Sequence, residues 1–240
     1  MTEQVTVIQK LRQIWRTLLL EGLAVLLGVL LAFWVDSLGQ DYEERQKANQ
    51  FLSSLQSELE LTIKQLDDLI SQGREQVKVI QTGLKTTILP PDGVNPTAED
   101  LRELIIEIGP NIAIPYQRAA LDDILGSGGL LIIEDEEIRL AILTYSRLID
   151  SEHSHQQNAI AFWNDRLSPY YFKYANISGF IIADDLELKS PEPEMERFVR
   201  NRHFSNLIAE RAALTRRLTA IRKELQAQAK PLSELIQPAS

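Results

Sequence analysis

The chain has 240 residues, room for one medium domain or for one domain plus an anchor, and it contains no cysteine, which excludes disulfides, thiolate metal sites and cysteine nucleophiles. A formal net charge of −9 argues against any broad affinity for nucleic acid. Neither fact excludes a membrane, and the N-terminal residues point to one.

Residues 17–35 form an apolar run of spanning length, since about 20 residues at about 1.5 Å each cross a hydrocarbon layer of about 30 Å. Twelve of them are Leu, Val or Phe, each favouring insertion by roughly 0.3–0.6 kcal/mol. The single acid, Glu21, costs a few kcal/mol at most and sits near the end of the run, where that cost falls. Insertion therefore wins. Trp15 and Trp34 stand at the two interfaces, where amphipathic rings settle.

A buried core helix and a cleaved export signal are the alternatives. Lys10, Arg12 and Arg16 would suit the start of a signal, but the residues from Phe33 to Leu38 offer no small-x-small cleavage site. The same bases ahead of the run, against Asp36, Asp41, Glu43 and Glu44 behind it, place the N-terminus in the cytoplasm. The sequence thus predicts a cytoplasmic tail (1–16), a transmembrane anchor (17–36), an extracytoplasmic bundle (37–230) and a C-terminal tail (231–240).

Ala24, Gly28 and Ala32 recur every four residues, a small-residue face on which a second copy or a membrane-protein partner could pack. Such residues are also common in spanning helices that have no partner. Glu21 adjoins this set, and its place near the membrane edge suits snorkelling better than a proton relay.

Beyond the anchor, Leu55, Leu59, Leu66, Leu69, Val77, Ile80 and Leu84 fall near a 3.5-residue spacing and predict one long helix from Ser37 to Leu84. Gly39 could bend it at the membrane surface, and Pro90, Pro91 and Gly93 stop it. A loose capping box, Thr97 with Asp100, predicts a helix to Ile108 before Gly109 and Pro110. Another is expected over 116–125, ending in the turn GSGG. A third opens at Asp135, with Ile138, Ala141, Tyr145, Leu148, Phe162 and Trp163 inward, and runs to about Leu167 before Pro169. Residues 170–189 read as irregular.

After SPEPE, Phe198, Phe204, Leu207, Leu214, Leu218, Ile221 and Leu225 predict a last long helix ending before Pro231. Laid antiparallel to the first, it would bring Arg222 and Lys223 to Glu58 and Glu60, and Arg216 and Arg217 to Asp67 and Asp68.

The anchor EGLAVLLGVLLAFWVDS with DYEER, and the later LDDILGSGGLLIIEDEEIRLAILTYSRL, resemble a bacterial family of uncharacterised single-pass membrane proteins. The matching positions are Glu21, Gly28, Ser127, Gly128, Ile132, Ile133 and Arg139. The resemblance implies an N-terminal anchor and a helical extracytoplasmic region, with no activity attached.

Chemistry-bearing motifs are scarce. LGSGGLLI lacks the Gly-Lys-Ser/Thr of a phosphate loop. Asp122, Asp123 and the acids from Glu134 to Glu137 lack calcium-loop spacing. His153 and His155, two apart, face different ways on a helix. No cofactor, no metal and no catalytic set is expected. The aromatic run Tyr170, Tyr171, Phe172 and Tyr174 either makes a contact at the outer tip or caps the end of a core.

The reading is an all-α protein in which an N-terminal transmembrane helix continues into a long helix packed in an antiparallel bundle. Its expected role is that of a non-enzymatic scaffold or interaction protein of the bacterial inner membrane, with the bundle in the periplasm. The alternative is a sensory or ligand-binding bundle acting through a partner.

Overall fold

The computed structural model describes residues 2–85, 104, 108–109, 115–174 and 201–237; side chains are described from Leu23 onward, Ala24 excepted. No strand occurs among them, and the all-α expectation holds. The elements are α1 (Thr2–Gly83), α2 (Ala119–Gly126), α3 (Gly129–Ile132), α4 (Glu136–Phe162), a π-helical turn (Trp163–Leu167), α5 (Ser168–Tyr174) and α6 (Arg202–Ile236). Of the helix expected from Thr97, only Leu104 and Ile108 lie within the described residues. Both are buried, and Ile108 N–H donates to the Leu104 carbonyl at 3.1 Å, as in a helical turn.

Helix α1 is unbroken over 82 residues, about 120 Å at about 1.5 Å per residue, so Gly39 does not interrupt it. Its buried face is Leu55, Leu59, Thr62, Leu66, Leu69, Gly73, Ile80 and Gly83, the alternating three- and four-residue spacing of a helix packed along one seam. Helix α4 buries Ile138, Ile142, Tyr145, Ile149, Glu152, Gln156 and Ala159 in the same rhythm. Helix α6 does so with Phe204, Ile208, Arg211, Thr215, Leu218, Arg222, Leu225, Ala229, Leu232 and Ile236.

The three long helices pack together. Gln226 Nε2 donates to Asp67 Oδ1 at 2.7 Å and Thr215 Oγ1 to Gln76 Oε1 at 3.2 Å, so α6 runs antiparallel to α1. Arg222 meets Glu152 and Arg166 meets Glu210, so α6 is antiparallel to α4 as well. Helices α1 and α4 therefore ascend together while α6 descends. The short α2 and α3 sit at the lower end, where Arg45 of α1 reaches Glu134 at 2.9 Å and Phe51 lies against Gly129.

The charge-matched register expected between α1 and α6 does not form. Asp67 faces Gln226 and not Arg216, an offset of nearly three helical turns. Arg222 turns inward to Glu152, and Glu58 accepts the backbone N–H groups of Ala120 (2.8 Å) and Leu121 (3.3 Å) at the start of α2. The physical reason is magnitude. An exposed ion pair contributes about 1 kcal/mol or less, whereas each fully buried Leu contributes about 1.5–3 kcal/mol, so the apolar seams set the register.

Three boundaries also differ from expectation. Helix α2 starts at Ala119, three residues later than the expected 116. Pro169 does not end the third helix: the widened π turn precedes it, relieving the clash of its ring with the carbonyl four residues back, and α5 continues to Tyr174. Pro231 lies inside α6, because Leu232, Ser233 and Ile236 beyond it are buried in the bundle. The bundle thus includes 231–236, which the sequence assigned to a tail. Asp135 caps α4 as expected, accepting from Glu137 N–H at 2.8 Å and Ile138 N–H at 3.2 Å.

Cysteines at 67 and 226 should be joined by a short thiol cross-linker, and cysteines at 59 and 221 should not; the reverse result would restore the charge-matched register. A Cβ on Gly73 would collide with Thr219 Oγ1, which is itself held by the Thr215 carbonyl. Gly73→Ala should therefore lower stability by about 1–3 kcal/mol in chemical denaturation, and Thr219→Ala should restore part of the loss.

Candidate functional site

Two regions break the ordinary pattern of polar outside and apolar inside. The first is the lower part of α1. Every described side chain from Leu23 to Lys47 is exposed, and in the stretch 23–35 every residue is apolar, with Val25 67%, Phe33 70% and Trp34 63% accessible. This helix is long and apolar enough to span a membrane, and no part of its apolar window is buried. Of the four residues expected to form a packing face, Gly28 and Ala32 lie on this stretch, and a Cβ at Gly28 would meet nothing within 4 Å. The side chains of Glu21 and Ala24 lie outside the described residues.

The aromatic run divides. Tyr170 and Tyr171 are buried with Phe162, Phe204, Leu207 and Ile208 in the upper core, so they cap the bundle and are not surface contacts. Tyr170 stacks on Phe204 with ring centroids 5.8 Å apart. Phe172 and Tyr174 remain exposed, at 75% and 51%.

The second unusual region lies inside the bundle. One apolar core joins Leu55, Leu59, Leu66 and Ile70 to Ile142, Tyr145, Ile149, Leu225 and Leu232. A separate one joins Ile80 to Phe162, Leu167, Phe204, Ile208 and Ala212. Between them the seams carry polar side chains. Arg222 Nε donates to Glu152 Oε1 at 2.8 Å, and both side chains are more than nine-tenths buried. Gln156, one turn along from Glu152, is buried as well, and Thr219 and Thr215 complete the layer. The Tyr116 hydroxyl stands beside Glu152 and Arg222 in this layer. Burial, reinforced by the neighbouring Glu152 charge, pushes the Tyr116 phenol well above its ordinary value.

Residues 115–118, a non-helical strap ahead of α2, bring Tyr116 to this layer. Arg118 fastens the strap from outside, reaching Asp150 of α4 at 2.9 Å and Asp122 of α2 at 2.9 Å. Sequence reasoning missed the layer, although a signal existed. Glu152 and Gln156 continue the spacing of Ile138, Ile142, Tyr145 and Ile149, and Arg222 that of Leu218 and Leu225, so charged residues stand on core positions.

Higher in the bundle Arg211 is fully buried, donating to the Gly109 carbonyl at 2.7 Å, and burial lowers its pKa to about 10. Burial raises Tyr145 to about 12 and Tyr171 further. Ser127, Gly128, Ile133 and Arg139 lie at the turn after α2 and the entry to α4. Gly128 has φ 77° at the turn between α2 and α3, and Arg139 holds the carbonyls of Ile133 and Glu134 at the entry to α4. Among the described residues no group of three or more His, Asp or Glu side chains could hold a metal. His153 is exposed and His155 half-buried.

Compared with known proteins, the chain matches no family model, no curated protein and no solved structure.

Removing one partner of the buried pair leaves an uncompensated charge. Glu152→Ala should therefore cost about 3–5 kcal/mol of stability, whereas Glu152→Met with Arg222→Met should be close to neutral or stabilising. Above pH 10 the bundle should lose stability. Tyr116, Tyr145 and Tyr171 keep their protons in the folded state above the unfolded value of 10.0, so their contribution is complete below pH 10 and is lost as pH rises through the folded values. Arg211 has the opposite sign, since its folded value lies below the unfolded 12.5, but it is one group against three. Melting temperatures from pH 9 to 11.5 check the sign.

Proposed function

We propose that this chain is a membrane-tethered, non-enzymatic interaction protein that holds a rigid helical bundle at a fixed height above a lipid surface. The observation that carries the reading is the continuity of α1. One helix is apolar on all sides and unpacked over 23–35, then joins the bundle core at Ala48 without interruption. From Val35 to Ala48 is about 20 Å of helix, and from Ala48 to Gly83 about 50 Å more. The upper end, with Phe172 and Tyr174 exposed, would then stand about 70 Å from the membrane. A side chain at that height is well placed to meet a partner protein, and exposed aromatic residues are favoured contacts.

The orientation follows from Lys10, Arg12 and Arg16 on one side of the span and acids on the other. It places the N-terminus in the cytoplasm and the bundle in the periplasm of a bacterium with two membranes. The resemblance to bacterial single-pass proteins supports the same topology. The anchor face at Gly28 and Ala32 is the surface on which a second copy or a membrane-protein partner would pack.

A fluorescent reporter that matures only in the cytoplasm, fused after Ser240, should stay dark, and the same reporter fused before Met1 should fluoresce. A bright C-terminal fusion, or recovery of the intact chain in the soluble fraction after cell breakage, would overturn the proposal. Replacing Phe172 by Ser should leave stability nearly unchanged and abolish co-purification of any partner held at the tip.

A further inference from the structure

Just above the apolar stretch, residues 36–53 of α1 include six charged side chains, Asp36, Asp41, Glu43, Glu44, Arg45 and Lys47. They are not spread evenly round the helix. Val35, Gly39, Tyr42, Gln46, Asn49 and Ser53 recur at alternating four- and three-residue steps, so they line one stripe, and none of them is charged. At about 100° per residue, all six charged residues lie roughly 80° or more round from the centre of that stripe. Gly28 and Ala32 continue it downward in the same rhythm. Every residue of the stripe is exposed, and a Cβ at Gly28 or Gly39 would meet nothing within 4 Å.

The stripe faces away from the rest of the chain. Ala48, Leu55 and Leu59, buried in the bundle, lie roughly 140° round from it. Phe51 and Arg45, which meet Gly129 and Glu134, lie off it as well. Helix α6 ends at Ile236, ten residues beyond Gln226, and Gln226 meets Asp67, so α6 stops level with about Ser57, above the stripe. A second helix therefore has room along about 38 Å of α1, from Gly28 to Ser53, on the side away from the bundle.

Lipid covers only the lower part of this face. The apolar stretch ends at Val35, a headgroup layer adds about 5–7 Å, and Tyr42, 70% exposed, stands about 10 Å beyond Val35. A second copy of the chain fits the whole of it. Two copies held parallel in one membrane present the same residue at the same height, so a two-fold axis sets each stripe residue against itself. Any charge on the stripe would then meet its own copy, an arrangement that like-charge repulsion forbids and that the distribution of charge round α1 avoids. Gly28 and Gly39 let the backbones approach closely, and Asn49 meeting Asn49 gives an amide pair of the kind that fixes register in two-stranded coils.

We propose that α1 is the seam of a parallel homodimer, joined along the uncharged stripe from Gly28 to Ser53 with the two bundles on opposite outer sides. The dimer rests on the membrane tether, because the shared bilayer is what holds the two chains parallel and level.

The chain has no cysteine, so single replacements report the face that pairs. In the full chain reconstituted into phosphatidylcholine vesicles, Gly39→Cys, Tyr42→Cys, Gln46→Cys and Asn49→Cys should each give a disulfide-linked dimer on oxidation. The yield should be at least tenfold above that from Asp41→Cys, Glu44→Cys or Lys47→Cys. Adding Tyr42→Glu to Gln46→Cys should lower the yield at least tenfold and leave the helical circular dichroism unchanged. Mixing those chains with chains carrying Tyr42→Lys and Gln46→Cys should restore it, since only self-pairing sets position 42 against itself. Chains that float with the vesicles yet cross-link equally at all seven positions, or at none, would overturn the dimer and leave the tether standing. Failure of the Glu and Lys chains to rescue each other would also overturn it. Chains that stay in solution when the vesicles float would overturn dimer and tether together.

Discussion

Helix α1 is apolar on every side over 23–35 and on one side only from Ala48 onward, and the change occurs within one run of backbone hydrogen bonds. This continuity constrains everything else. A helix surrounded by apolar side chains can be accommodated by lipid, which asks nothing of its faces beyond satisfied backbone groups. A helix with one apolar seam asks for a partner along that seam. The residues from Asp36 to Lys47, mostly polar and wholly exposed, separate the two demands, so bundle and apolar stretch do not compete for the same length of helix.

The bundle answers the second demand with α4 and α6, and there packing outweighs charge. Arg216, Arg217 and Lys223 lie on the exposed side of α6, where their contribution to register is small. Buried Leu, Ile and Phe side chains fix how far α6 slides along α1. Gly73 makes the choice sharper, because Thr219 fits against it only where no side chain stands between them. The same seams carry Glu152, Arg222 and Gln156, which contribute little net stability but mark one level of the bundle as different from the rest.

Much of this was legible in the sequence for a definite reason. Alternating three- and four-residue spacing survives in α1, α4 and α6, and Asp135 announces its helix by a capping chemistry that needs no tertiary context. Register was not legible, since many offsets match acids to bases and only packed volumes distinguish them. Pro231 and Pro169 misled because a proline's local cost, about 3 kcal/mol in a helix interior, was offset by burial of Leu232, Ile236, Tyr170 and Tyr171 beyond them. The polar layer escaped notice because charged residues are read as surface unless their position in the seam is weighed before their type. Tyr170 and Tyr171 follow the same logic in reverse: an aromatic cluster reads as a contact surface, yet two of its members close a core.

The central claim is that a single straight helix passes from the apolar stretch into the bundle. Spin labels on cysteines replacing Val35 and Ser71, both exposed, measure it in the full chain reconstituted into a lipid bilayer. A single narrow distance near 54 Å, the length of thirty-six helical residues at about 1.5 Å each, is the result expected. A broad distribution, or a mean shorter by about 10 Å or more, would mean that the helix bends or breaks between the apolar stretch and the bundle and would contradict the account.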